Sequence, residues 1–310
     1  MTRARQWLLW GPFALAGVIL LAWFGVWRAG AETIDRALLE FAKAESERGG
    51  VVAHGPMRAK GFPFFLRGEI RAFSIERGQY RFEADVLYLH AAPWSPQRIV
   101  FSTGPSLKLL TPAGVWAISA AGARASIEAA SGKGWLFKAE ANALDGVRGQ
   151  SALKTGRSVV NIAPDATVEG AYAIAARVQD ARIKNTRGET DILRVDAALT
   201  AHAASRRIVI HGVDSDFGPS RVGLSGALGV DAEGFLTGDL AASIENPAEI
   251  ADTLRVLGAI RAEEARSLEA GLALVAVAGG GRIEAPLVFA DGETRLAGAR
   301  IARAPRVGQP

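Results

Sequence analysis

The sequence has no cysteine, two methionines and three tyrosines, and only one long stretch without charge. Without cysteine there are no disulfides, thiolate zinc sites, iron–sulfur clusters or cysteine nucleophiles. Stability then rests on the core alone, which a body of about 280 residues can supply. Clustered cations are also missing. Setting aside Arg3, Arg5 and Arg28, the 36 Lys and Arg become 33, against 32 acids. The body is nearly neutral, with no basic block to displace counterions from nucleic acid. No GxSxG nucleophile elbow, P-loop or HExxH occurs. His54, His90, His202 and His211 do not fall at metal-ligand spacing. The reading is therefore non-enzymatic, with no catalytic residue, cofactor or metal. The densest polar cluster is His211–Asp216, read as a loop. It lacks the later Glu of a calcium loop, and a hydrolase using Asp214 and Asp216 is the minor reading.

What is present begins at the N-terminus. Arg3 and Arg5 precede Trp7–Trp27, a run with no charged residue or histidine. As a helix its 21 residues would reach about 32 Å, enough for a bilayer core of about 30 Å. Trp7, Trp10, Trp23 and Trp27 stand at its two ends, where aromatic rings favour the lipid–water boundary. The basic excess before the run places the N-terminus inside and the body outside. Ala29-Gly30-Ala31 has the small-x-small form of a signal-peptidase site, so cleavage competes with a retained anchor. Bulky Trp23, Phe24 and Trp27 and the charge of Arg28 argue for retention. The chain is divided into an anchor, residues 1–31, and a β-rich domain, residues 32–310.

In the body a helix is expected first. Thr33 is its cap, and Ile34, Ala37, Leu38, Phe41 and Ala44 recur at helical spacing before Gly49-Gly50. The period then becomes two. Tyr80, Phe82, Ala84, Val86 and Tyr88 share one parity, as do Trp135, Phe137, Ala139 and Ala141. So do Tyr172, Ile174 and Ala176; Leu193, Val195, Ala197 and Leu199; Val222, Leu224 and Leu228; and Leu240, Ala242 and Ile244. Each reads as a strand with one apolar face. Arg77-Gly78-Gln79, Asp231–Gly234, Gly279-Gly280-Gly281 and Asp291-Gly292 read as turns of antiparallel hairpins. A helix capped by Asn246, with Pro247 in its first turn, runs to Arg266. Strands resume at Leu268–Val277, Arg282–Phe289 and Arg295–Ile301, giving 14–18 strands and two packed helices. A sandwich, a barrel and an open trough all satisfy that pattern.

Aromatics are sparse, yet Phe62, Phe64 and Phe65 gather around Pro63, which bars continuous central pairing. The apolar parity then switches between Ala72 and Phe73, predicting a bulge. Together with strand aromatics Tyr80, Phe82, Trp135 and Phe137, these phenylalanines are the candidates for contacting a hydrophobic ligand. The basic and apolar start, the short helix, and Gly61-Phe62-Pro63-Phe64 leading into Arg67-Gly68 resemble a Gram-negative envelope family, domain of unknown function 2125. The later unit of strand, Gly234 turn, strand and Pro247–Arg266 helix resembles AsmA-like lipid-groove proteins.

That resemblance implies a mainly β fold: an N-terminal transmembrane helix, then a curved antiparallel sheet, groove or sandwich-like, with two packed helices. It implies a single-pass inner-membrane protein whose body faces the periplasm and binds lipid or another hydrophobic ligand in a β-groove. The alternative is an envelope assembly scaffold with a fully covered core and protein partners. No nucleic-acid partner is expected.

Overall fold

The computed structural model describes residues 3–92, 95–130, 134–202, 204–258, 260–278 and 281–306. Among them are twenty strands, three α-helices and one 3₁₀ turn, and the strands pair antiparallel. The strand count exceeds the expected 14–18 because several apolar stretches are split by turns. The chain divides into two compact units. The first runs to Val115 and includes Ser126–Glu128; the second holds Trp116–Ala125 and everything from Ala129 onward.

The first unit begins with α1 (Arg3–Glu47), a single helix of 45 residues, about 67 Å long. The expected separate helix capped by Thr33 is its continuation. Nothing between Trp27 and Thr33 breaks a helix: Arg28 pairs with Glu32 one turn on, and the Thr33 hydroxyl donates to the Ala29 carbonyl at 2.8 Å. Its segment Phe13–Glu47 contains a window apolar and long enough to cross a membrane, with mean hydropathy 1.6 and 6% buried. The helix is followed by β1 (Gly50–Ala53), β2 (Arg58–Lys60), β3 (Leu66–Arg77), β4 (Tyr80–Ala92), β5 (Ser95–Thr103) and β6 (Ser106–Thr111).

The long β3–β4 hairpin is the centre of this unit, closed by a two-residue turn at Gly78-Gln79. β1 and β2 share the outer edge of β3, and β5 and β6 share that of β4. Trp27, Ala31 and Ile34 of α1 are buried with Leu66, Ile70, Phe73, Leu87 and Leu89. The parity switch in β3 is real but is not a register shift. Arg71 opposes Val86 and Phe73 opposes Ala84. Ala72 instead takes φ 51°, a left-handed conformation that turns the next side chains to the other face.

In the second unit, β7 (Gly114–Ala121) and β8 (Arg124–Ala130) carry the division between the units. Then come β9 (Gly134–Ala141), β10 (Ala143–Arg148), β11 (Ser151–Thr155), β12 (Ser158–Pro164), β13 (Ala171–Asn185), β14 (Gly188–His202), β15 (Arg207–Phe217), β16 (Ser220–Val230) and β17 (Leu236–Glu245). After a 3₁₀ turn at Pro247–Glu249 follow α2 (Ile250–Leu257), α3 (Ala262–Ala278), β18 (Arg282–Ala290), β19 (Glu293–Leu296) and β20 (Ala299–Arg303). The pairing runs β9–β12–β13 and then in chain order from β13 to β17. β18 adds to β17 after the helices, followed by β19 and β20. β11 and β10 extend the sheet from the far half of β13.

Three sequence expectations fail here. Asn246 makes no side-chain cap; it has φ 49° and its amide donates to the Pro219 carbonyl. The single helix to Arg266 is two helices, stopped after Leu257 by Gly258 at φ 79°, the conformation that favours glycine at a helix end. Leu268–Val277, read as a strand, belongs to α3. Its buried Ala265, Leu268 and Leu272 lie at helical spacing, and Ala, Leu and Glu all favour helix. Of the Gly279-Gly280-Gly281 turn, Gly279 and Gly280 lie outside the described residues. The Asp291-Gly292 turn forms as expected, both residues at positive φ.

Candidate functional site

Strand register decides which side chains share a face. Across β9, β12, β13, β14 and β15 one row reads Phe137, Ile162, Ile174, Leu199, Ile210. The next row reads Ala139, Val160, Ala176, Ala197, Val213. Both rows continue through β16, β17 and β18, as Gly226–Leu240–Leu287 and as Leu224–Ala242–Ala285. Five separate parity patterns in the sequence therefore merge into one apolar face. Leu193 is the exception. Asp180 at φ 50° turns the β13–β14 tip, so Ile192 is buried and Leu193 is 50% exposed.

The face is covered unevenly. At its β16–β19 end, Ala242, Ile244, Ile283 and Leu296 are buried against Ile250 and Ala251 of α2 and Ala265, Leu268 and Leu272 of α3. α2 is tied to the β13–β14 tip: the Asn185 amide donates to the Val256 carbonyl at 2.8 Å, and the Thr190 and Thr253 hydroxyls lie 3.1 Å apart. Between α3 and β18–β20 lies a cleft of about 420 Å³, lined by Leu268, Leu272, Val275, Ile283 and Ile301, with Glu263, Glu264 and Arg300 also on its wall. Along β12–β15, by contrast, Val160, Ile162, Ile174, Val178, Leu199 and Val213 are all only half-buried.

The opposite face is charged. Arg177 pairs with Asp196, and Asp196 with Arg194 at 3.4 Å. Arg194 reaches Asp216 at 3.2 Å, Arg221 reaches the same carboxylate at 3.6 Å, and Arg282 joins Glu245 and Glu284. His211–Asp216 is thus part of β15, with a register shift at His211-Gly212, rather than a loop. Asp216 is held between Arg194 and Arg221. Asp165 is held down to about 2, first by the Thr167 hydroxyl, then by the backbone N–H groups of Thr167 and Val168. The Thr200 hydroxyl donates to Asp165 at 3.3 Å and meets His211 Nε2 at 2.8 Å.

The structure does not gather the seven aromatic candidates into one place. Phe62 meets Phe24 and Trp27 of α1 edge-on, at 5.4 and 6.0 Å. Phe64 and Phe65 are 67% and 64% exposed beside it. Tyr80 is exposed at the far end of β3 from this loop, and Phe82 packs half-buried against the first unit's core. In the second unit Phe137 lies on the apolar face, while Trp135 is exposed. The aliphatics of that face, Ile162, Ile174 and Leu199 foremost, carry no aromatic signal. Aligning the parity patterns strand against strand is what finds them.

A family model described as an uncharacterized protein conserved in bacteria, DUF2125, matches residues 27–305. No curated protein and no solved structure matches the chain.

Proposed function

The chain belongs to the bacterial family DUF2125, and we propose that it is a membrane-anchored, non-enzymatic protein that holds an acyl chain or similar apolar ligand on the uncovered face of β12–β15. The observation that carries the reading is the change along one continuous face, from buried under α2 and α3 to half-buried beyond them. Apolar surface left in water has a standing tendency to be covered, at about 25 cal/mol per Å². A ligand covering roughly 300 Å² would gain about 7 kcal/mol before the costs of association.

The N-terminal helix supplies the tether. Its retention is favoured by the packing of Trp27, Ala31 and Ile34 into the first unit's core. Cleavage after Ala31 would remove core residues. Arg3 and Arg5 before the apolar run favour the body on the outer side of the inner membrane, facing the periplasm. Native mass spectrometry of the full chain released from nanodiscs tests the ligand. The wild type should carry adducts of phospholipid or fatty-acid mass, and Leu199→Gln with Ile174→Gln should lose them while the anchor is unchanged. Equal adducts on both proteins, or empty protein throughout, would contradict the proposal. A single protein adduct in place of lipid would favour the scaffold reading.

A further inference from the structure

The loop of residues 61–65 has a different environment from the apolar face, and it is built rather than merely exposed. The Phe65 N–H donates to the Gly61 carbonyl at 3.0 Å, closing the turn. Gly61 sits at φ 99°, and a Cβ there would lie 2.7 Å from the Phe65 carbonyl oxygen. Two indoles of α1 fix the loop from outside. Trp23 Nε1 donates to the Pro63 carbonyl at 2.6 Å, and Trp27 Nε1 to the Phe65 carbonyl at 2.7 Å. Phe62 fills the gap against Phe24 and Trp27. The same geometry turns Phe64 and Phe65 outward.

From this we propose that the 61–65 loop is a second membrane contact, with Phe64 and Phe65 inserted at the boundary between headgroups and acyl chains. The inference rests on the anchor reading above. Trp27 directly precedes Arg28, the first charge after the apolar run. Trp23 lies one turn deeper, about 6 Å along the axis. A carbonyl bonded to Trp23 is therefore on the apolar side of that first charge. On α1, Leu20, Leu21, Phe24 and Val26 are exposed, and Phe24 meets Phe62 in the same loop as the exposed Phe64 and Phe65. Arg58, three residues before the loop, supplies a cation near the level of lipid phosphates, while Lys60 is paired with Glu69 at 2.7 Å and the Arg67 guanidinium lies over the Tyr88 ring at 4.3 Å. Two adjacent phenylalanines about two-thirds exposed are unfavourable in water and favourable at a bilayer interface.

Two contacts set the pose of the first unit where one helix alone would leave it free to rotate. β3 leads away from the loop. Its far end meets the far end of α1 through Arg77 and Glu45, 18 residues or about 27 Å beyond Trp27. Tyr80 at that end provides an internal reference.

The cysteine-free sequence allows single nitroxide labels in the full chain at Leu20→Cys, Phe64→Cys, Phe65→Cys or Tyr80→Cys. The proteins are placed in vesicles of phosphatidylethanolamine and phosphatidylglycerol, and accessibility to oxygen and to a water-soluble nickel chelate is read. Labels at 20, 64 and 65 should favour oxygen, with chelate access severalfold below that at 80. If 20 is in lipid but 64 and 65 match 80, the loop proposal is overturned and the anchor stands. If 20 itself lies in water, the anchor reading falls. Labels at 64 and 65 shielded from both reagents would mean a protein contact and overturn membrane insertion.

Discussion

Glu45 is 4% exposed at the end of α1, and both its oxygens are used by Arg77, at 2.7 and 2.9 Å. Arg77→Ala leaves a shielded carboxylate without its partner and should lower stability by about 2 kcal/mol, read as a fall in the urea midpoint of the detergent-solubilised chain. Acid acts on a second carboxylate. Lys60 and then Arg71 hold Glu69 at about 2, below its ordinary 4.5. Its folded form therefore binds the proton less readily than the unfolded form. The resulting stability is fully present above pH 4.5 and is lost as pH falls toward 2. Asp165, also held near 2 against an ordinary 3.8, adds a loss in the lower part of that window. Urea midpoints between pH 5 and 2.5 should decline, and Glu69→Gln should flatten the decline. An unchanged pH profile in that variant would contradict the assignment.

At the scale of elements, two long hairpins share one device. Ala72 in β3 and Asp180 in β13 take left-handed φ values midway along their strands while the register on either side is kept. Valine is a better strand former than alanine, yet Ala72→Val should destabilise by about 1 kcal/mol, because a β-branched side chain is poorly tolerated at positive φ. Thermal unfolding measures the sign directly. The parity switch at Phe73 was visible in the sequence; the left-handed residue behind it was not, because alanine gives no local signal for that conformation. Strands with sustained alternation and Gly- or Asp-marked turns, such as β16–β17 and the Asp291-Gly292 hairpin, are legible for the same reason that they fold: period and turn chemistry agree. α3 was not legible, since Leu268–Val277 satisfies both periods and only burial of Leu268 and Leu272 decides between them. The candidate face was half legible. Parity marks Ile174 or Leu199 as apolar and inward, but only cross-strand register shows that they adjoin and that no helix among the described residues covers them as α2 and α3 cover Ile244.

At the scale of the whole molecule, the helix of the proposed anchor is also part of the fold. Trp27 and Ala31 are buried in the first unit's core, so a chain starting at Thr33 loses a large aromatic from that core, a change of about 3–5 kcal/mol. It should unfold at lower temperature than a chain shortened only to Phe13, with both measured in detergent. Equal melting would mean that the helix packs on the body without supporting it. The two faces of the second unit's sheet offer the most direct test of the central claim, because neighbouring residues of β13 point to opposite sides. A photo-crosslinking amino acid at Ile174 lies on the apolar face, and at Ala175 on the charged one. In bacterial cells, position 174 should yield phospholipid or fatty-acid adducts and position 175 should yield none; equal lipid labelling at both, or none at 174, would contradict the account.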